Sequence, residues 1–207
     1  VWTRADLDRL AALTRGTGIV VVADEVYEHI VFDGATHASC AAHPELAARS
    51  FVVSSFGKTY HITGWKIGYV VAPAALMAEF RKVHQFNVFT VNTPVQLALA
   101  DYMADASRHL GLAAFYQGKR DFFRDAMAGS RFELLPSRGT YFQLARYGAI
   151  SDMADAAFCE HLTRNVGVAA IPVSAFFADG RDERVIRFCF AKNENTLAAA
   201  CERLCRI

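Results

Sequence analysis

No apolar stretch in this chain approaches the roughly 20 residues that a membrane-spanning helix needs, and its start lacks the charged-then-apolar layout of a secretory signal. An excess of charge of either sign is missing too. The 22 Lys and Arg against 21 Asp and Glu leave +1, which favours neither a nucleic acid nor an anionic membrane as partner. Cysteine is sparse and unpatterned. The five residues, Cys40, Cys159, Cys189, Cys201 and Cys205, are odd in number and show no metal-ligand spacing. That argues against a zinc module or a disulfide framework, and it fits reduced thiols in a cytoplasmic protein. Internal repeats and low-complexity linkers are also absent. What is present is 207 residues, 53% of them hydrophobic, ample for a packed core in one large domain or two small ones.

The first residue is Val1 rather than methionine, and the chain runs at once into a helix with Thr3 as its expected N-cap. These residues therefore read as the middle of a longer protein. In the first half, strand and helix patterns alternate, which predicts a parallel α/β sheet. A helix over about 4–14 leads to the apolar run 18–24, expected to be a strand buried on both faces. Further strands are expected over 50–55 and 67–72, the last stopped by Pro73, then a helix over about 75–85. A long apolar-rich segment between Pro94 and Met127 reads as a helix broken near Gly111. The second half changes character. Short strands over 132–135, 140–144, 168–171 and 184–190, with helices near 152–165 and 194–206, predict a smaller α+β domain. The organisation expected is 1–115 as part of a large domain and 116–207 as a small one.

Chemistry concentrates in a few places. The run Ser54-Ser55-Phe56-Gly57-Lys58-Thr59 puts a lysine just past a strand with two hydroxyls before it, and Thr63-Gly64-Trp65-Lys66 adds a second lysine. Asp24 ends the apolar strand upstream, and Tyr27 follows three residues later. Ligands of open α/β sheets bind outside the carboxyl ends of strands, where Asp24 and Lys58 are both expected. A lysine held there can form a Schiff base with a carbonyl carbon. An aspartate at the end of so apolar a strand needs a partner, and the pyridinium nitrogen of pyridoxal 5'-phosphate (PLP) supplies one. Tyr27 can direct its phenol at the ring's 3′ oxygen, while Ser55 and Lys66 offer a hydroxyl and a point charge for phosphate. Arg187 interrupts the apolar strand Val185-Ile186-Arg187-Phe188. An arginine there must find an anion, and a substrate carboxylate fits its two-pronged grip. Each residue also has a plainer reading. Asp24 can cap a helical turn, Tyr27 can be core, Lys58 and Lys66 can be solvated, and Arg187 can pair with an internal carboxylate.

Together the motifs resemble those of the class I/II, fold type I aminotransferases over essentially the whole chain: Asp24 and Tyr27, Ser55 and Lys58, Lys66 in Thr63-Gly64-Trp65-Lys66, then Arg187. The resemblance implies a PLP-dependent transferase fold, with the C-terminal part of a mainly parallel large-domain sheet followed by a small α+β domain. It implies that Lys58 carries the Schiff base and shuttles the α-proton, and that Asp24, Tyr27, Ser55 and Lys66 bind the cofactor. Arg187 is then the residue that binds the substrate carboxylate. The implied reaction is ping-pong transfer of an amino group from an L-amino acid to a 2-oxo acid, by a homodimer. Asp24-Glu25-Val26-Tyr27-Glu28-His29, Ser54-Ser55-Phe56-Gly57-Lys58-Thr59 and Arg81-Lys82-Val83-His84-Gln85 look like the methionine and kynurenine/glutamine branch, and Ala169-Ala170-Ile171-Pro172-Val173-Ser174-Ala175-Phe176 looks most like its bacterial methionine members, with Phe176 and Phe177 as candidate pocket walls. Two other readings share the fold: a carbon–sulfur β-lyase, and the effector-binding domain of a transcription regulator. By the same resemblance the family's first half is absent, so these residues alone are expected to be poorly folded or inactive.

Overall fold

The computed structural model describes all 207 residues, Val1–Ile207. The chain divides into two compact units, Val1–Ala113 and Ala114–Ile207.

The first unit opens with helix α1 (Arg4–Thr14). Thr3 accepts from the Asp6 amide while the Asp6 carboxylate takes the Thr3 amide, a reciprocal capping box. Strand β1 (Val21–Asp24), the short helix α2 (Pro44–Ala47), strand β2 (Ser50–Ser55), the single-turn helix α3 (Phe56–Thr59) and strand β3 (Gly68–Val71) follow. Helices α4 (Ala74–Asn87), α5 (Thr93–Met103) and α6 (Ser107–Leu110) complete it. The sheet order is β1-β2-β3. Leu7 and Ala11 of α1 join Cys40, Leu46 and Val52 in one buried cluster, with Val21 and Ala23 of β1 packed against it.

Two expectations need correction here. The sheet is mixed rather than parallel: β1 runs parallel to β2, but β3 is antiparallel to it. The link from β2 to β3, through α3 and a 3₁₀ turn at Thr63–Trp65, returns the chain at the same end of the sheet, where Gly68 pairs with Ser55. Nor is β1 buried on both faces. It is an edge strand covered by α1 on one side only, so Ala23 packs inward while Val22 is 71% exposed.

The second unit begins in the first turn of α7 (Leu112–Ala126) and continues through β4 (Glu133–Leu134), β5 (Phe142–Arg146), α8 (Asp155–His161), β6 (Ile171–Pro172), β7 (Val185–Cys189) and α9 (Glu194–Leu204). Its sheet, ordered β4-β5-β7-β6, is antiparallel throughout. The strand expected over 168–171 shrinks to β6, because α8 runs on as a π-helical turn, Leu162–Val166, ending at Gly167 with φ +74°. Aromatic rings fill the core. Phe158 stacks on Tyr147 at 4.2 Å between centroids and neighbours Phe132, which meets Phe188 edge-on. The Tyr147 hydroxyl donates to the Met153 carbonyl at 2.8 Å, so its one polar atom is satisfied inside the core. Gln143, fully buried, donates to the Leu135 and Leu144 carbonyls and accepts from Arg124. All five cysteines are free, and no helix is long and apolar enough to cross a membrane.

Because Phe158 is 1% exposed and ringed by aromatics, Phe158→Ala leaves a cavity that rigid neighbours cannot fill. Urea unfolding should show the second unit destabilised by about 3–5 kcal/mol; a loss below about 1 kcal/mol would mean that the aromatic cluster closes up around the gap.

Candidate active site

The mixed pairing of β2 places three chain ends together. In the ladders Asp24 lies opposite Val53, and Ser55 lies opposite Gly68. The carboxyl ends of β1 and β2 and the amino end of β3 therefore emerge from the same end of the sheet. Asp24 and Tyr27 follow from β1, Ser55 and Lys58 from β2, and Lys66 leads into β3, so the structure brings these five to one sheet end. Arg187 belongs to the other unit.

Asp24 is exposed, so desolvation does not by itself demand a partner for it, contrary to the expectation from its apolar strand. One oxygen, Oδ1, accepts from the Val26 amide at 3.3 Å in a local turn, which is the capping alternative; Oδ2 remains for another donor. Tyr27 is half-buried in the turn after β1, its carbonyl taking the Ile30 amide at 2.9 Å. Ser55 is the N-cap of α3. Its Oγ accepts from the Gly57 amide at 3.1 Å, which leaves the hydroxyl proton to donate outward. Lys58 is half-buried in the last turn of α3, and no carboxylate pairs with it. Lys66 is exposed and caps the 3₁₀ turn in the left-handed region, at φ 53°.

Packing around this sheet end is close. A Cβ on Gly57 would lie 2.8 Å from the Thr63 Cα, and one on Gly68 would collide with the Ser54 carbonyl oxygen. Glycine is therefore required at both. One carboxylate acceptor, one outward hydroxyl and two ammonium donors match the chemistry of a phosphorylated pyridine aldehyde, and the residues fit PLP.

The structure also assembles residues that motif reading passed over. Ser54, 3% exposed, donates to the Glu28 Oε1 at 2.7 Å, and the Tyr69 hydroxyl donates to the same oxygen at 2.5 Å. Burial, then this carboxylate, pushes the Tyr69 phenol up to about 12. Glu28, His29, Phe56, Tyr60, Tyr69 and His109 line a cavity of about 310 Å³. Within it the His29 and His109 rings stand 4.8 Å apart, and burial holds His29 below its ordinary value of 6.5. Only the antiparallel register, which sets Ser54 opposite Tyr69, could have revealed this group. Glu25, 8% exposed, instead ties down the following loop through the Cys40 amide and His37.

Arg187 sits mid-strand in β7. An internal carboxylate does not pair with it. Its guanidinium lies over the rings of Phe142 and Phe176, at 4.1 and 4.9 Å, and its Nε is buried without a hydrogen-bond partner. Phe176, 62% exposed, walls this spot, whereas Phe177 lies under Arg181 at 3.8 Å.

Known proteins resemble this chain along nearly its whole length. The family model described as aminotransferase class I and II matches residues 1–204. Methionine aminotransferase of Escherichia coli (strain K12) is 55% identical over 205 residues, covering 99% of this chain and 53% of that protein. Kynurenine–oxoglutarate transaminase 1 of Rattus norvegicus is 32% identical over 226 residues, covering 99% and 53%. The crystal structure of YbdL from Escherichia coli, whose reactivity identified a methionine aminotransferase function, superposes with a TM-score of 0.96 at 54% identity, covering 100% of this chain and 55% of that one. The chain thus spans about half the length of the curated relatives it matches. With the family model matched over residues 1–204, and with 99% of its length aligned to a relative at 55% identity, this chain belongs to the class I and II aminotransferases.

Proposed function

We propose that the protein is a PLP-dependent aminotransferase moving an amino group from an L-amino acid to a 2-oxo acid, with methionine, aromatic amino acids or glutamine as donors. The observation that carries this reading is the convergence of Asp24, Tyr27, Ser55, Lys58 and Lys66 on one end of the β1-β2-β3 sheet. PLP, when bound, supplies an electron sink that stabilises negative charge at the substrate α-carbon.

The chain's own residues then have separable tasks. The free oxygen of Asp24 holds the pyridine N–H and keeps that nitrogen protonated. Tyr27 donates to the 3′ oxygen. The Ser55 hydroxyl and the Lys66 ammonium bind phosphate, the first by direction and the second by charge. Lys58, half-buried and without a counter-ion, reaches the cofactor carbonyl and moves the proton at the substrate α-carbon as general acid and base. Arg187, held between two rings with an unpartnered Nε, grips the substrate carboxylate. Phe176 beside it offers an apolar wall. Such a wall separates side chains by only about 1–3 kcal/mol per methylene, which supports a broad donor range. Free cysteines fit a cytoplasmic enzyme, and the homodimer comes from the family resemblance.

Two measurements test the reading on the protein expressed in full. With PLP added, the parent should show a visible absorbance band that methionine shifts. Lys58→Ala should lose that response, with turnover down about 10³-fold or more; an unchanged spectrum and rate would remove Lys58 from the mechanism. Arg187→Lys keeps the charge but loses the two-pronged grip, so the KM for the amino donor should rise about 10–100-fold with little change in PLP affinity. An unchanged KM would mean that Arg187 does not meet the substrate.

A further inference from the structure

Glu28 lies in the turn after β1, one residue beyond Tyr27, and its Oε1 accepts from both Ser54 and Tyr69. Those two donors face each other across the β2–β3 ladder. Ser54 immediately precedes Ser55, the cap of the helical turn that carries Lys58, and Tyr69 stands three residues after Lys66. A single carboxylate oxygen therefore joins the three chain ends on which all five proposed cofactor residues in this unit are mounted. Its side chain is 24% exposed, and the Ser54 hydroxyl has almost no access to solvent as a substitute acceptor. Hydrogen bonds to a charged group are among the stronger ones, and they strengthen further where water is scarce.

We infer that Glu28 is a positioning residue for the cofactor site, fixing the turn after β1 against the β2–α3 and β3 chain ends so that Tyr27, Ser55, Lys58 and Lys66 hold a common geometry. The inference rests on the proposed aminotransferase function for what those four residues bind, but not for the positioning itself. The carboxylate acts as an acceptor for the two hydroxyls, and the His29 Nε2 lies 3.8 Å from the same oxygen. Glutamine retains an acceptor oxygen at the same reach, and alanine does not. Tyr69→Phe is the milder lesion, removing one donor while Glu28 keeps Ser54.

The test compares Glu28→Ala, Glu28→Gln and Tyr69→Phe in the protein expressed in full. In Glu28→Ala, the PLP dissociation constant should rise and kcat fall, each by about 10–100-fold, while the donor KM stays within about threefold, because misplacement of about 1 Å degrades chemistry far from the altered residue. Glu28→Gln should restore both to within about threefold of the parent, and Tyr69→Phe should fall between the two. Amide hydrogen exchange without added cofactor should quicken about tenfold across 55–69 in Glu28→Ala and stay unchanged in α9.

Parental PLP affinity and exchange in Glu28→Ala would overturn the inference, as would Glu28→Gln being damaged as badly as Glu28→Ala. The exchange arm separates the two readings. A parent that binds no PLP, with 55–69 still loosened by Glu28→Ala, would sink the aminotransferase function and keep the positioning role. A parent that binds PLP normally while Glu28→Ala behaves like it in every arm would do the reverse.

Discussion

Strand β2 is the constraint on which the first unit depends. It is hydrogen-bonded on both sides, running with β1 and against β3. Parallel pairing delivers two carboxyl ends to one side of the sheet, and antiparallel pairing adds an amino end at the same place. Three separate stretches of chain thus share one small region without a long crossover between β2 and β3. The close approach also explains the glycines. Gly68 sits against the Ser54 carbonyl, and Gly57 against Thr63, where a side chain would force the backbones apart. The geometry of the sheet end is therefore set largely by backbone, and the polar side chains are decorated onto it.

The second unit solves a different problem. A guanidinium in an apolar strand is costly unless something compensates its charge. Here aromatic faces do so in part, through cation–π contacts with Phe142 and Phe176. An internal carboxylate would have neutralised Arg187 and blocked it from any incoming anion. Ring faces stabilise the cation while leaving its hydrogen-bonding edge unclaimed, and the buried Nε without a partner is the visible sign of that. In the same unit, the stacked Phe158–Tyr147 pair and the satisfied Gln143 belong to the buried core.

Much of this was legible from residues alone, for local reasons. The limits of α1 and its Thr3 cap follow from capping chemistry, and β2 from a short apolar run bounded by turn signals. The Asp24–Tyr27 and Ser55–Lys58 spacings are readable because each pair spans one tight turn. What the sequence hid were properties of pairing. Whether β3 runs parallel or antiparallel depends on the end of the sheet to which the connecting turn returns, and an apolar pattern does not encode that. The exposure of Val22 and Asp24 depends on which faces α1 covers. The role of Glu28 was invisible for the same reason, since its two donors become neighbours only once the β2–β3 register exists.

Lys66 stands where backbone comfort and the proposed cofactor chemistry favour different residues. A lysine at φ 53° occupies a backbone region that disfavours side chains by about 1 kcal/mol or more, and that glycine or asparagine would occupy more easily. Thermostabilising design guided by backbone comfort alone would choose glycine at this position. That choice would remove the ammonium group proposed to meet phosphate beside the strand end.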